Sequence, residues 1–457
     1  MNRLHKILLV VVLFVMITSC SDFIDVDAPK TQIVSETVFQ TQASASSAIR
    51  GIYSLMMTNT SFTRGGLEEY IGTASDELIS YSSSANRVQF YQNSITPINT
   101  DVLTVFWGEA YKYISNANVI IRSLENSTIP ETEKRALLGE ALFIRAFCYF
   151  YLANLFGDVP YLTTSDYEAN AEASRVAYST VMLNIQLDLE AAQEMMPDDF
   201  ALGMGERIRP NRDAAIALLA RIYLYRKEWV KAEQASTELI DNTEIYSLQA
   251  DLSQVFVANS SEAIWQLKPV VPNSGAPQAS IFVLTAAPNG FSRRVSIRDE
   301  LINSFEANDE RKSLWTKTFS NSSGAWNYIN KYTTTNSPVE YSMIFRIAEQ
   351  FLIRAEARAE QDNFEGARDD INTIRSRAGL DVITYNTKSE LLDAVLQERR
   401  VELFGEGGHR WLDLKRTGRI DAVMSAIKSQ WQSTDALLPI PHAERLINTN
   451  LTQNPGY

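Results

Sequence analysis

The residues with the most evident chemistry lie together near the C-terminus. Residues 405–419 read GEGGHRWLDLKRTGR and contain the carboxylates Glu406 and Asp413, the imidazole of His409, four cationic side chains and Trp411. Such a mixture is compatible with a catalytic cluster, a phosphate-binding site or a platform for a sugar ring. The elements that position these side chains decide between these possibilities.

A structural role is the preferred interpretation of these charges. Glu398 and Glu402 lie one turn apart on a predicted helix. Arg410 and Asp413 lie on the short helix predicted to follow it. Because a guanidinium group donates two parallel hydrogen bonds to a carboxylate, we predict that these four residues form a structural clamp between helices. A ligand-binding or catalytic role is the alternative, and His409 is expected at the surface or at a helix cap.

The sequence offers few residues for a metal or catalytic site. His409 and His442 are 33 positions apart, and no pair of cysteines remains once the export signal described below is removed. Calcium-binding loops, nucleotide-binding loops and serine-hydrolase motifs are not found, so we expect no metal ion and no other cofactor. Because two facing carboxylates cannot be recognised among 55 acidic residues, a hydrolase stays open as a lesser alternative.

The overall charge argues against nucleic-acid binding. The chain of 457 residues has 42 basic and 55 acidic side chains, a net charge of −13. This average field repels a polyanion. The hydrophobic fraction of 45% is that of an ordinary globular protein, and the length suffices for a large core.

The N-terminus is predicted to be an export signal. Residues 1–19 contain Arg3 and Lys6 before the apolar run 7–17, which is too short for a permanent membrane span. Removal of this segment lowers the net charge from −13 to −15.

The signal ends in a sequence that resembles a bacterial lipobox. Residues 17–20 read ITSC, so we expect Cys20 to be lipidated and residues 20–35 to form a tether between the lipid and the folded part. An ordinary secretory signal, in which Cys20 stands by chance, is the alternative. Cys148 lies in an apolar helical stretch and is expected to be a buried, unreactive thiol.

Helical periodicity dominates the rest of the chain, and one pattern occurs twice. The repeated residues are Ala220, Trp229 and Ala232 in the first copy and Ala355, Phe364 and Ala367 in the second. Small residues around an aromatic turn residue let two antiparallel helices approach closely. We therefore predict a mainly α fold built on tetratricopeptide-like helical repeats over about 101–240 and 341–420, with generic helical hairpins as the alternative.

Two segments without this periodicity are the expected ligand-binding part. Residues 64–97, expected as loop with short helical pieces, and the irregular insert at about 244–340 are rich in Ser, Asn, Gly and aromatic residues. Sugar sites combine aromatic platforms with amide groups, although any single aromatic residue here can be a packing residue. The candidates are Tyr81, Asn86, Phe90, Tyr91, Phe291, Trp326 and Tyr328.

Several longer segments carry a resemblance to a known family. They read FWGEAYKYISNANVII (106–121), EALFIRAFCYFYLANLFGDVPY (140–161), QERRVELFGEGGHRWLDLKRTGR (397–419) and LLPIPHAERLINTNLTQNPGY (437–457). With the lipobox, they resemble the SusD/RagB family of surface glycan-binding lipoproteins, and the resemblance covers residues 36–457 as a single SusD-like domain.

The resemblance implies a location, a partner and a function. It implies an outer-membrane lipoprotein that faces the cell exterior and lies as a lid over a SusC-like TonB-dependent transporter. It implies capture of a glycan without catalysis. A tetratricopeptide-type scaffold that binds only protein, and a binder of peptide nutrients, are the alternatives.

One departure from the family affects the expected ligand. Members that bind starch have tryptophans in the loop after the first helix, whereas residues 60–100 contain none, so Tyr81, Phe90 and Tyr91 would have to serve. The net charge disfavours acidic glycans. The alternative is a local positive patch formed by Arg64, Arg87, Arg293 and Arg294.

Overall fold

The structure, a computed structural model, describes residues 39–58, 60–385 and 387–457. The predicted signal peptide (residues 1–19), Cys20 and the tether (residues 20–35) lie outside the described residues. The α-helices are α1 Gln42–Thr58, α2 Gly72–Ala74, α3 Ala85–Gln92, α4 Gly108–Glu125, α5 Glu131–Phe156, α6 Tyr167–Ala171, α7 Tyr178–Met195, α8 Arg212–Tyr225, α9 Trp229–Asp241, α10 Pro277–Phe282, α11 Asp299–Ile302, α12 Glu310–Trp315, α13 Ile347–Glu360, α14 Phe364–Arg377, α15 Lys388–Glu402, α16 His409–Arg416, α17 Ile420–Ile427 and α18 His442–Ile447. Two segments, Phe62–Ile71 and Val102–Trp107, are π-helical, and three short 3₁₀ turns cover Ala201–Gly203, Leu252–Gln254 and Ser433–Ala436.

The strands are few and form three two-stranded antiparallel sheets. They are β1 Leu78–Ser80, β2 Ala263–Leu267, β3 Val295–Ile297, β4 Thr316–Asn321, β5 Gly324–Ile329 and β6 Ser342–Arg346. Within the described chain the pairs are β1 with β3, β2 with β6 and β4 with β5. The prediction of a mainly α fold is confirmed.

Helix α5 lies at the centre of the helical core. Among the described residues it is the one helix long and apolar enough to cross a membrane, but 83% of its most apolar window is buried inside the protein, as in a core helix. Cys148 on α5 is fully buried, as expected, and burial raises the pKa of its thiol well above the usual value. The helix ends at Gly157, whose φ of +75° favours glycine.

Polar groups on α5 fix its neighbours. Arg145 donates from Nε and Nη2 to the two carboxylate oxygens of Asp188 on α7, at 2.8 and 2.7 Å. Its Nη1 donates to Oδ1 of Asn118 on α4, and the amide nitrogen of Asn118 donates to the carbonyl oxygen of Leu162 at 2.9 Å. One guanidinium group therefore ties three helices and the following segment together.

The repeated sequence pattern corresponds to two helical hairpins. Helices α8 and α9 form the first, α13 and α14 form the second, and α9 packs against α13. The small residues of the pattern are all fully buried at these helix contacts; they are Ala220, Ala232, Ala355 and Ala367. This arrangement is consistent with the predicted tetratricopeptide-like repeats.

The segments expected to be irregular contain more regular structure than predicted. Residues 244–340 contain β2 to β5, and β2 is buried along its whole length because it pairs with β6 in the core. Trp265 on β2 meets the rings of Phe143, Phe147 and Phe345 at centroid distances of 5.2, 5.2 and 5.8 Å. This aromatic cluster anchors the strand pair to α5.

The region after α1 is also more ordered than expected. Nearly all of Phe62–Ile71 is buried, with a kink at Arg64 (φ −97°, ψ 43°) and Gly65 (φ 89°, ψ 1°). A Cβ on Gly65 would lie 2.2 Å from Cδ1 of Ile281, so the kink depends on glycine.

Candidate ligand-binding site

The first sheet brings the two loop-rich parts of the sequence together. β1 pairs with β3, and the pairing continues where the backbone N–H of Tyr81 donates to the carbonyl oxygen of Arg294 at 2.7 Å. Phe291, three residues earlier, is 77% exposed. Candidate residues that are more than 200 positions apart therefore share one region of the protein.

Three candidates from the first segment are half-buried and already have partners. The hydroxyl of Tyr81 lies 3.2 Å from Oγ of Ser296. The ring of Tyr91 lies 4.2 Å from Nζ of Lys428. The amide nitrogen of Asn86 donates to the side chains of Thr100 and Asp101, so both of its donor hydrogens are already bound within the protein.

The fourth candidate, Phe90, is a core residue. It is 0% exposed, and its ring packs edge-on against Tyr70 with a centroid distance of 4.9 Å. It also lies 5.8 Å from the ring of Phe106. The expectation that Phe90 serves as a platform for a ligand is wrong, because the helical phase of α3 points it inward.

The last two candidates lie on the β4–β5 hairpin. Trp326 is half-buried and stacks on its cross-strand partner Phe319 at 6.3 Å between centroids. Tyr328 is also half-buried, opposite Lys317. Strand β5 packs against β3, which places the hairpin beside the β1–β3 sheet.

A cavity next to this region is lined by arginines, and we call it the arginine cleft. Its volume is about 440 Å³, and its walls come from the end of α1, the segment Phe62–Ile71, α3, residues 269–281 and the residues just before β3. The charged side chains among its described lining residues are Arg64, Glu69, Arg87 and Arg294. None of the seven predicted candidates lines it, although Asn86 and Phe291 are close neighbours of lining residues in the sequence.

Glu69 holds two of the three arginines. Arg294 donates from Nε and Nη2 to the two oxygens of Glu69, at 2.7 and 2.9 Å. Arg87 also pairs with Glu69, and its guanidinium carbon lies 4.4 Å from the centre of the Tyr70 ring. Arg64 has no hydrogen bond or ion pair from its guanidinium group within the described residues, and its Nε is buried. Arg293, expected in the same patch, does not line the cleft.

Two buried carboxyl groups near the arginine cleft have pKa values close to neutral pH. Burial raises the pKa of Glu68 from 4.5 to about 7, and Oε2 of Glu68 has no hydrogen-bond partner in the described structure. Burial, together with the charge of Asp76, raises the pKa of Glu77 to about 7 as well. Each group is therefore protonated in about half of the molecules at pH 7, where an ordinary carboxyl group is ionised.

The predicted clamp residues lie in buried ion pairs, but in more than one cluster. Glu402 is fully buried and accepts hydrogen bonds from Arg311 (2.9 Å), Arg346 (2.6 Å) and Arg377. Glu398 pairs with the same Arg311. We call this group, with its neighbours, the ionic core; its other members are Glu262, Asp309, Lys331 and Glu406.

The other two clamp residues belong elsewhere. Arg410 binds both oxygens of Asp76, at 2.8 and 2.7 Å. Asp413 accepts from Arg399 at 2.7 Å and from Arg416 at 2.8 Å.

His409 is buried, so the expected surface position is wrong. The other expectation, a position at a helix cap, is closer, because His409 directly follows the cap residue Gly408 at the start of α16. The imidazole is buried next to Asp413, with Nδ1 3.5 Å from Nη2 of Arg399 and 3.9 Å from Glu349. Burial lowers the pKa of His409 to about 4, which keeps the imidazole neutral at ordinary pH. The neutral ring therefore fills space between paired charged groups, which is a structural role. Within the described chain no group of three or more metal-binding side chains is found.

Comparisons with known proteins agree with this architecture. A family model described as "Starch-binding associating with outer membrane" matches residues 22–224, and a model described as "SusD family" matches residues 293–457. A SusD-like protein of Formosa agariphila is 26% identical over 100% of both chains.

Solved structures share the fold. A SusD superfamily protein from Bacteroides vulgatus is 20% identical, with a TM-score of 0.79 over 91% of this chain and 99% of its own. A laminarin-binding SusD-like protein is 23% identical, with a TM-score of 0.78 over 92% of this chain and 100% of its own. The family is one of binding proteins without catalytic activity, which agrees with the expectation that the chain is not an enzyme. The protein belongs to the SusD/RagB family.

Proposed function

We propose that the protein is a lipid-anchored protein of the outer membrane that captures a glycan at the cell exterior and delivers it to a SusC-like TonB-dependent transporter. The observation that carries the proposal is the arginine cleft, together with the exposed residue Phe291, whose carbonyl oxygen accepts a hydrogen bond from Nη1 of the cleft residue Arg294 at 2.7 Å. The N-terminal part of the chain also matches a starch-binding, outer-membrane family model. The names of similar proteins, one laminarin-binding and one a surface glycan-binding protein of Bacteroides fluxus, support a glycan as the ligand.

The chemistry of the cleft suits a sugar chain. Phe291 offers an exposed apolar ring on the residue before Ser292, which lines the cleft, and Val270 and Val271 on the cleft wall are also exposed. The arginines and the serines Ser274, Ser280 and Ser292 offer donors and acceptors for hydroxyl groups. One site thus offers apolar side chains for the faces of sugar rings and polar side chains for their hydroxyl groups.

Titration calorimetry with oligosaccharides that a glycan array identifies tests the proposal. Phe291→Ala is expected to weaken binding by about 5- to 30-fold, the effect of removing an aromatic contact residue. Tyr167→Ala is the matched control, since Tyr167 is equally exposed at 77% but lies on α6 outside the cleft. Equal affinity of both variants would rule out Phe291 as a contact; binding of peptides but of no glycan would favour the peptide-nutrient alternative.

Anchoring and delivery need separate tests. Cys20→Ala is expected to move the protein from the outer-membrane fraction to the soluble fraction, since the lipid would no longer be attached. Detergent extracts of native membranes are expected to yield a complex with a TonB-dependent transporter. An unanchored wild-type protein, or one that purifies without a transporter, would contradict this part of the proposal.

A further inference from the structure

One side chain of the arginine cleft has a donor group without a partner. Arg87 and Arg294 are both paired with Glu69, whereas Arg64 makes no hydrogen bond or ion pair from its guanidinium group to any described residue. Arg64 lines the cleft, and within the described residues its Nε is buried without a hydrogen-bond partner. Because no carboxylate pairs with Arg64 in the described structure, its positive charge stays available to a ligand in the cleft, whereas Glu69 offsets part of the charge of Arg87 and Arg294.

The backbone holds Arg64 in place before any ligand arrives. It lies in the kink of the buried segment Phe62–Ile71, where its N–H donates to the carbonyl oxygen of Ser61 at 3.1 Å. Gly65 and Gly66 follow it, and a Cβ on either would come within 3 Å of a neighbouring atom. A residue on such a packed segment loses little backbone freedom on binding, which favours affinity.

The charge in the cleft has the opposite sign to the charge of the whole molecule. Its described lining contains three arginines and one carboxylate, an excess of two positive charges, while the chain carries a net charge of −13. At physiological ionic strength the screening length is about 8 Å, so a ligand group inside the cleft responds to the arginines more than to distant carboxylates. The sequence-based argument from net charge against acidic glycans therefore does not apply at this site.

We propose that the captured glycan is anionic and that Arg64 binds one of its charged substituents, a carboxylate or a sulfate ester. This inference rests on the function proposed above and specifies its ligand. The planar guanidinium group offers paired donors that match the oxygens of either substituent. Glu69 fixes Arg87 and Arg294 in the cleft wall, so they contribute positive potential while Arg64 makes the direct contact.

Calorimetry with paired oligosaccharides tests the inference. Carrageenan oligosaccharides supply sulfate esters without carboxylates, oligogalacturonates supply carboxylates without sulfates, and their desulfated and carboxyl-reduced forms are the neutral counterparts. Wild-type protein is expected to bind at least one acidic form, more tightly than its neutral counterpart. Arg64→Ala is expected to weaken this binding by about 10- to 100-fold, as for the loss of a charge-assisted hydrogen bond, and Arg64→Lys by less.

The controls separate the local contact from general charge effects. Arg50→Ala removes one positive charge from an exposed site on α1 and is expected to leave affinity unchanged. The wild-type affinity for the acidic form alone is expected to fall with added NaCl, which tests the inference even if Arg64→Ala does not fold.

Tighter binding of the neutral forms, or equal affinity of Arg64→Ala and wild type for an acidic form, would overturn the anionic ligand and leave glycan capture in place. Binding of no oligosaccharide, acidic or neutral, here and on a glycan array would overturn glycan capture itself.

Discussion

Replacing Glu402 by Gln tests whether the charge-rich C-terminal stretch is structural. The substitution keeps the shape of the side chain but removes a charge that three arginines share in the ionic core: Arg311, Arg346 and Arg377. Burial alone would raise the pKa of Glu402, but the guanidinium groups of Arg377, Arg346 and Arg311 lower it well below 4.5, so wild-type Glu402 is ionised.

The expected loss of stability follows from these contacts. A hydrogen bond to a charged group contributes about 1.5–3 kcal/mol and a neutral one about 0.5–1.5 kcal/mol, so neutralising the acceptor costs about 1–1.5 kcal/mol per bond. Three bonds give a loss of about 3–5 kcal/mol, the range measured when one partner of a buried ion pair is removed. An amide NH₂ in place of Oε2 would also face Nη1 of Arg311, two donors in contact.

Urea unfolding followed by circular dichroism measures this loss. Glu244→Gln is the matched control, because Glu244 is exposed and has no ion pair among the described residues; a change within about 0.5 kcal/mol is expected there. A loss below about 1 kcal/mol for Glu402→Gln, together with abolished ligand binding, would refute the structural interpretation and make the stretch a binding site.

Two further predictions concern the region of the arginine cleft. Since the pKa of Glu68 is about 7 when folded and near 4.5 when unfolded, the folded protein holds a proton that the unfolded chain releases, and stability falls as pH rises from about 4.5 through 7. Glu68→Gln, which mimics the protonated acid, is therefore expected to match wild type at pH 4.5 and to exceed its stability by about 1–3 kcal/mol at pH 8; a constant difference across this range would contradict the assignment. Gly65→Ala is expected to lower stability by about 1–3 kcal/mol, because φ is +89° and the new Cβ meets Ile281. Gly51→Ala, on α1 with open space around it, is expected to raise stability by about 0.5–1 kcal/mol, and equal melting temperatures for the two variants would exclude strain at Gly65.

The sequence predicted the helical architecture well because helical spacing is a local property. Ala220 and Ala355 mark two hairpins, each with an aromatic residue nine positions on and an alanine twelve positions on, and the helices of each hairpin are adjacent in the chain. The buried strand β2 was missed because its five residues pair with β6, almost 80 positions later, and a short run of four apolar residues and one glutamine fits a helix or a strand equally well. The β4–β5 hairpin did carry a local signal, since Thr316, Thr318 and Phe319, of residue types that favour strands, precede the turn that contains Gly324.

The candidate site was harder to predict because its chemistry depends on distant residues. Phe90 was selected as an aromatic residue in an irregular segment, but α3 turns it into the core against Tyr70. Arg87 and Arg294 both pair with Glu69, which lies 18 residues from Arg87 and 225 residues from Arg294. Only the fold shows that Arg64 has no such partner among the described residues. His409 was expected at the surface or at a helix cap because no second histidine lies near it in the sequence. It is instead buried beside Arg399 and Glu349, which lie 10 and 60 residues away in the chain.

The partners of Asp76 have a consequence for the order in which the protein is made and folds. The carboxylate of Asp76 receives its hydrogen bonds from Arg400 and Arg410, which follow it by 324 and 334 residues. At about 5–20 residues per second, a ribosome needs roughly 20–70 s to supply them. During this interval the N-terminal helices are made, but a buried carboxylate among them lacks its cations. If the chain is exported as proposed, this late closure of the core favours an unfolded state until the last helices have been synthesised, the state in which a chain can still be threaded through a membrane.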